Sequence, residues 1–297
     1  MRPKRRLGQS FLIDARIRDL IVKAAEVGSN DLVVEIGAGT GTLTLALAEA
    51  AGGVLALEID PGLFRILEER LKGIGGFAAI RCGEVGTWVH IGSENVILFC
   101  EDALQFDFAA YLQGRKAQVV ANLPYSVATP LILRLLSLKG LFSSLLLMLQ
   151  QEVAQRLLAL PGGKEYGALT VACRYQADVT LVAKVPKEAF YPRPKVSSAL
   201  VRLDPLPEPR LKLRDPSLFF QVVRAAFGKR RKMLRNALLQ APVVSDREAL
   251  EQAFKISGID PRRRGETLSI EEFSRLSDAI SSCQRSAGSL QPLTDLG

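Results

Sequence analysis

Asp31-Leu-Val-Val-Glu-Ile-Gly-Ala-Gly-Thr-Gly41 is the stretch that decides the fold. A short apolar run enters a turn with glycine at positions 37, 39 and 41. Thr42-Leu-Thr-Leu-Ala-Leu-Ala-Glu49 then follows with a helical pattern. A strand, a glycine turn and a helix in that order form the first half of a βαβ unit. Gly53-Val-Leu-Ala-Leu-Glu58 is a second apolar strand, ending in an acid. Pro61 to Lys72 reads as a helix with proline in its first turn. Asn95-Val-Ile-Leu-Phe-Cys100 is a third strand, followed by Glu101 and Asp102. Ala117-Gln-Val-Val-Ala121 is a fourth, ending at Asn122. A helix from about Thr129 to Leu138 leads to a fifth, Leu145-Leu-Leu-Met-Leu149. Strands alternating with helices predict an α/β fold on a parallel, doubly wound sheet. Such sheets bind ligands outside the carboxyl ends of their strands. Gly37, Glu58, Asp102 and Asn122 all stand at such ends.

Outward from this sheet, Gly73 to Ser93 reads as a glycine-rich loop or hairpin insert. The proline-rich Asp204-Pro-Leu-Pro-Glu-Pro209 marks a domain boundary, since it propagates neither helix nor central strand. Helical patterns follow at Ser217 to Phe227, Lys229 to Leu239, Asp246 to Phe254 and Ile270 to Ile280. The expected organisation is a sheet domain over 1–205, a small helical domain over 206–282 and a disordered tail over 283–297.

The chain has 297 residues, 48% hydrophobic and 24% charged, as in soluble globular proteins. No stretch approaches the roughly 18 consecutive apolar residues that a membrane span requires. The basic start, Met1-Arg-Pro-Lys-Arg-Arg6, lacks the apolar segment of a secretory signal. Asp14 and Asp19 come early for a mitochondrial transit peptide. Cys82, Cys100, Cys173 and Cys283 form no C-x-x-C pair, and His90 is the one histidine. This argues against a structural metal and a histidine-based triad, and suits a cytoplasmic protein with reduced thiols. The net charge is +8, which favours a polyanionic partner. Residues 1–205 carry 23 basic and 20 acidic side chains, whereas 206–282 carry 15 and 10, so the second region is the more basic per residue.

A dinucleotide loop, G-x-G-x-x-G, would place its third glycine at 42, where this chain has threonine. Glu35-Ile-Gly-Ala-Gly-Thr-Gly41 instead resembles the E-x-G-x-G-x-G loop of S-adenosylmethionine-dependent methyltransferases. There, backbone N–H groups face the amino-acid moiety of the cofactor. Glu58 can accept hydrogen bonds from ribose hydroxyls, and this fits NAD or S-adenosylmethionine equally. Asp102 can accept from an adenine amino group. Asn122-Leu-Pro-Tyr125 resembles the [DNS]-[IL]-P-[YF] motif of methyltransferases acting on exocyclic amino groups of bases. An adenine N6 lone pair is delocalised, and it becomes a better nucleophile as the nitrogen turns pyramidal. The Asn122 amide oxygen and the Leu123 carbonyl can accept the two N6 hydrogens and favour that geometry. Pro124 stiffens the turn, and Tyr125 offers a face for a flipped base. Alignment then carries the reaction without a strong base, which suits a chain with one histidine.

Leu7-Gly-Gln-Ser-Phe-Leu12, the glycine loop, Glu101-Asp102-Ala103, Asn122-Leu-Pro-Tyr125 and Phe190-Tyr-Pro-Arg-Pro-Lys-Val-Ser-Ser198 together resemble the small-subunit rRNA adenine-N6,N6 dimethyltransferases over about residues 4–282. The resemblance implies a doubly wound Rossmann-like methyltransferase sheet with a small C-terminal helical RNA-binding domain. It implies S-adenosylmethionine as cofactor, with Gln9, Ser10 and Leu12 beside Gly37, Gly39, Gly41, Glu58, Asp102 and Asn122 in its pocket. It places Phe190 opposite Tyr125 across the target base. The implied reaction is dimethylation of two adjacent adenosines near the 3′ end of 16S rRNA, in an immature small ribosomal subunit, by a monomer that needs no metal or membrane. This chain has serine at positions 10 and 197, where the family usually has asparagine and an acid; a contact at 10 is then weaker or made by backbone.

Lys229, Arg230, Arg231, Lys232 and Arg262 to Arg264 are the expected phosphate contacts, with Lys229, Lys232 and Arg235 near one helical face. Three other readings stand beside this one. A 23S rRNA adenine methyltransferase giving antibiotic resistance shares the chemistry, but the sizeable C-terminal region and the Phe190 motif lean against it. A non-catalytic relative, such as a mitochondrial transcription factor, is opposed by the intact Glu58, Asp102 and Asn122-to-Tyr125 set. An NAD dehydrogenase is disfavoured by the glycine spacing.

Overall fold

Leu32–Ile36 (β2) is apolar except for Glu35, and its last four residues are buried, as a strand covered on both faces requires. It pairs in parallel with Gly53–Leu57 (β3) on one side and Ala117–Asn122 (β6) on the other. A computed structural model describes residues 10–72, 77–80, 96–124, 127–229, 231–244 and 246–288, with backbone alone at 77–80 and 285–288.

The remaining elements before the basic region are, in chain order, β1 (Phe11–Leu12), α1 (Ala15–Ala25), α2 (Thr42–Ala50), α3 (Pro61–Lys72), β4 (Phe77–Ile80), β5 (Val96–Phe99), α4 (Phe108–Leu112), α5 (Ala128–Ser137), β7 (Phe142–Gln150), α6 (Gln151–Leu158), α7 (Ala168–Gln176), β8 (Ala177–Val185), β9 (Phe190–Tyr191) and β10 (Ser198–Pro205). Among the described residues the main sheet has eight strands in the order β4-β5-β3-β2-β6-β7-β10-β8. The chain builds one way from β2 through β3, then returns to lay β6 on β2's other side. The strand order therefore reverses between β2 and β6, and the crevice opens there. The ends of those two strands are followed by Gly37 and closed by Asn122.

The doubly wound sheet expected from the sequence is present, with two differences. β10 runs antiparallel to both β7 and β8, so the parallel sheet carries an antiparallel edge. The segment read as a loop or hairpin contains β4, which pairs in parallel with β5 and so forms no hairpin with it. The rest of 73–95 lies outside the described residues. Helices α1, α2 and α3 cover one face of the sheet, burying Ile21, Leu43, Leu47, Phe64 and Leu67 against Val33, Val54 and Val120.

Two compact units result: 1–155 with 177–207, and 156–176 with 208–297. The second unit adds α8 (Pro216–Gly228), α9 (Leu234–Leu239), α10 (Arg247–Ser257) and α11 (Ile270–Gly288). Residues 156–176 belong with it because Tyr166 and Val171 join Phe219, Val222, Phe254 and Phe273 in its core. Helix α11 continues to Gly288, past position 282, where the sequence suggested a disordered tail; 289–297 lie outside the described residues. The expected helix over Lys229 to Leu239 is shorter. Lys229, with φ −132° and ψ 66°, ends α8, and α9 begins only at Leu234. A run of like charges opposes a helix at these positions. No helix among the described residues is long and apolar enough to cross a membrane.

Candidate active site

The crevice at the β2/β6 reversal is a cleft of about 1020 Å³ including its open mouth. Ser10, Gly37, Gly39, Glu58, Asp102, Asn122, Leu123 and Pro124 all line it, from five separate stretches of chain.

Three glycines at positive φ, 79° at Gly37, 60° at Gly39 and 82° at Gly41, take the chain from β2 into α2. Only glycine adopts such angles without strain. The turn aims its N–H groups back into the protein. Those of Gly37 and Ala38 donate to the Leu57 carbonyl at 2.8 and 3.1 Å, and that of Gly41 donates to Ala38 at 2.9 Å. Gly39 N–H donates to Glu58 Oε2 at 2.8 Å. These four N–H groups are thus committed within the protein, so at their positions the loop supplies space rather than donors. Gly41 does not line the cleft. A side-chain carbon there would meet Leu67 Cδ1 at 2.3 Å, so its role is packing.

Glu58 is 5% exposed and also accepts the Asp60 N–H at Oε1, 2.8 Å. Burial raises its carboxyl pKa, and the backbone donors at Asp60 and Gly39 counter this. Each oxygen keeps a second lone-pair site for a ligand hydroxyl. Asp102 Oδ1 accepts the Leu104 N–H at 2.9 Å, which presents this acid at the rim. Beneath the glycine loop lies Glu35, absent from the expected site residues. It is buried, and the buried Thr44 hydroxyl stands beside it. Burial pushes this carboxyl up to about 8, and the nearby Glu58 charge adds to the rise.

Asn122 Nδ2 donates to the Ser10 carbonyl at 3.3 Å. A carbonyl only accepts, so the amide nitrogen must face it, and Oδ1 is turned away. Leu123 N–H donates to Met148 at 3.2 Å, while its carbonyl accepts no hydrogen bond from a described residue.

Other expected residues are placed differently. Gln9, Tyr125 and Arg230 lie outside the described residues. Leu12 and Phe190 face each other in the β1–β9 pair and are buried in the core. Phe190 is 3% exposed, so it presents no open face to a base. The alternation of β1 puts Phe11, not Leu12, on the cleft. Ile59, Glu101 and Leu104 also line it. Their signal in the sequence is adjacency to the strand-end acids.

In the second unit, Leu234 and Arg235 N–H groups donate to the Arg263 and Pro261 carbonyls at 2.6 and 3.1 Å, bringing both basic clusters together. Arg231, Lys232, Arg262 and Arg264 are exposed. Lys229, also exposed, is hydrogen-bonded to Gln240, and Arg262 is paired with Asp260. Arg264 lies 3.9 Å from Glu266. Arg263 forms a two-pronged pair with Glu272, at 2.5 and 2.9 Å, and its place is structural.

A model of the ribosomal RNA adenine dimethylase family matches residues 1–282. The chain belongs to this family. Ribosomal RNA small subunit methyltransferase A of Clostridium botulinum (strain Langeland) is 46% identical over 275 residues, 92% of each chain. That of Pelotomaculum thermopropionicum is 45% identical over 288 residues, 94% of this chain and 91% of the relative. The solved dimethyladenosine transferase from Plasmodium falciparum has a TM-score of 0.73 at 26% identity, covering 92% of this chain and 98% of that one. The 23S rRNA methyltransferase ErmE has a TM-score of 0.62 at 25% identity, covering 91% and 99%. The adenine dimethylase family is S-adenosylmethionine-dependent. The cleft fits that cofactor: it offers a glycine-walled floor and two acids on adjacent strand ends for its hydroxyl and amino groups. When bound, S-adenosylmethionine supplies an electrophilic methyl group.

Both buried acids can be tested. Glu58→Ala removes the acceptor and releases two backbone N–H groups, so cofactor affinity should fall by about 1–3 kcal/mol in calorimetry; unchanged affinity in a folded variant removes Glu58 from the site. Glu35 sets a pH dependence. Its native carboxyl, near 8, holds a proton that the unfolded chain sheds near 4.5. Its contribution to stability is complete below about pH 4.5 and is lost as pH rises to about 8. Urea denaturation across that range should show Glu35→Gln losing less stability than the wild type, by at most about 1.4 kcal/mol per pH unit. Parallel curves would mean that Glu35 is ionised in the fold.

Proposed function

We propose that this rRNA adenine dimethyltransferase transfers two methyl groups to N6 of each of two adjacent adenosines near the 3′ end of 16S rRNA, within an immature small ribosomal subunit, as a cytoplasmic monomer. The observation that carries the chemistry is Asn122, whose amide is oriented by Ser10 with Oδ1 left for a donor. The small-subunit target is supported by relatives named for it at 43–46% identity, against 25% for ErmE.

Asn122 Oδ1 and the Leu123 carbonyl accept the two N6 hydrogens, drawing the lone pair out of conjugation. Pro124 holds those acceptors at a fixed spacing. As N6 takes the methyl group it releases one proton to solvent water and keeps a single hydrogen, so one acceptor then suffices and the other side must admit a methyl group. Tyr125 stacks on the flipped base. No step requires a strong base, and the cleft contains no histidine among the described residues.

Asn122→Ala should keep RNA and cofactor binding while lowering kcat and kcat/KM together by about 100-fold, as for loss of one positioned polar group. Single-turnover transfer at the wild-type rate would remove Asn122 from the mechanism. Mapping of dimethyladenosine with and without the chain should show the marks in small-subunit rRNA; marks in the large subunit instead would overturn the target. Neutralising Lys229, Arg231, Lys232 and Arg262 together should lower the salt slope of RNA binding by about 0.7–0.9 for each phosphate that is no longer neutralised, with cofactor affinity unchanged. An identical slope would make them a solvated face.

A further inference from the structure

The two-stranded sheet β1–β9 has two unlike faces. Side chains alternate along a strand, and residues opposite each other in an antiparallel pair share a face. Leu12 and Phe190 form one pair, on the core side. Phe11 and Tyr191 form the other. Phe11 lines the cleft, with its ring 3.5 Å from where a side-chain carbon at Gly39 would stand. Tyr191 is 63% exposed and lies outside the ring of cleft-lining residues. Ile13, one alternation further along Phe11's face, is 61% exposed. An apolar strip thus runs from the cleft wall to the surface, with an aromatic ring on its outer side. Arg193 and Lys195 follow, both exposed. Arg193 is ion-paired with Glu188, whereas Lys195 joins no ion pair among the described residues.

An aromatic ring interleaved with cations beside a nucleobase-methylating cleft matches a single-stranded RNA surface, where rings take base faces and cations take phosphates. The position favours a neighbour of the target. Asn122, which orients N6, is tied to Ser10, the residue before Phe11, whereas Tyr191 stands across the ladder from Phe11. Flipping the target adenine strips its neighbour of a stacking partner. We infer that Tyr191 stacks on the base flanking the adenine under methylation, with Lys195 on the adjoining phosphate. This rests on the rRNA-methylating function proposed above. Tyr191 is here a positioning residue, acting on the register of the strand and not on the reacting atoms.

The test compares wild-type, Tyr191→Ala, Tyr191→Leu and Tyr191→Phe chains on small-subunit particles lacking dimethyladenosine, with S-adenosylmethionine affinity measured on each. The alanine and leucine variants should raise KM for the particle by about tenfold, since both lose a planar face. Phenylalanine should restore it. Cofactor affinity and the single-turnover rate at saturating particle should remain at wild-type level in all three. A wild-type KM in the alanine or leucine variant, or a phenylalanine variant as impaired as alanine, overturns the stacking role while wild-type methylation leaves the proposed function standing. Absence of methylation by the wild-type chain overturns both.

Discussion

One buried carboxylate holds the cleft open. Glu58 binds the glycine turn after β2 through Gly39 N–H and the turn after β3 through Asp60 N–H, both at 2.8 Å. Two adjacent strand ends would otherwise leave their loops free to move independently. A charge-assisted pair of bonds, shielded from water, locks them to each other. The loop conformation that results sends its own N–H groups inward and leaves a glycine-lined wall. The acid is therefore a structural clamp that also lines the cleft.

A second tie closes the site from the far end of the sequence. Asn122 and Ser10 are 112 residues apart, and their hydrogen bond fixes which way the amide points. Orientation matters here because the two ends of an amide do opposite things: the nitrogen donates, the oxygen accepts. The segment carrying Ser10 is anchored in turn by β1's pairing with β9, whose inner face is sealed by Leu12 and Phe190. Phe190 is buried behind the segment that carries Ser10 and so the Asn122 amide, and the aromatic face next to it, Tyr191, is the one left to solvent.

The second unit works by a different principle. A backbone bond from Leu234 to Arg263 brings a basic run and a basic triplet together, and Arg263 is committed to Glu272 to hold that turn. Lys232 and Arg262 thus lie on turns rather than within a regular helix.

By itself the sequence determined the alternation of strands and helices, the glycine turn after β2 and the polar residues at three further strand ends, Glu58, Asp102 and Asn122. These are local signals: apolar runs, helix-compatible spacing and a residue that alone tolerates positive φ. It also carried the Asn122-Leu-Pro-Tyr125 motif, which marks Asn122 as the candidate. Tertiary structure alone decided the rest. The antiparallel edge of β10 and β8 was hidden because β8 is largely exposed and carries Asp178 and Lys184, which blur its alternation. Gly41 and Gly37 look alike in sequence, yet one packs against Leu67 and the other floors the cleft. Phe190 and Tyr191 are neighbours, and only the register with Phe11 and Leu12 sends one inward and the other out. Which face of a strand is buried depends on what covers it, and that is a property of residues far away in the chain.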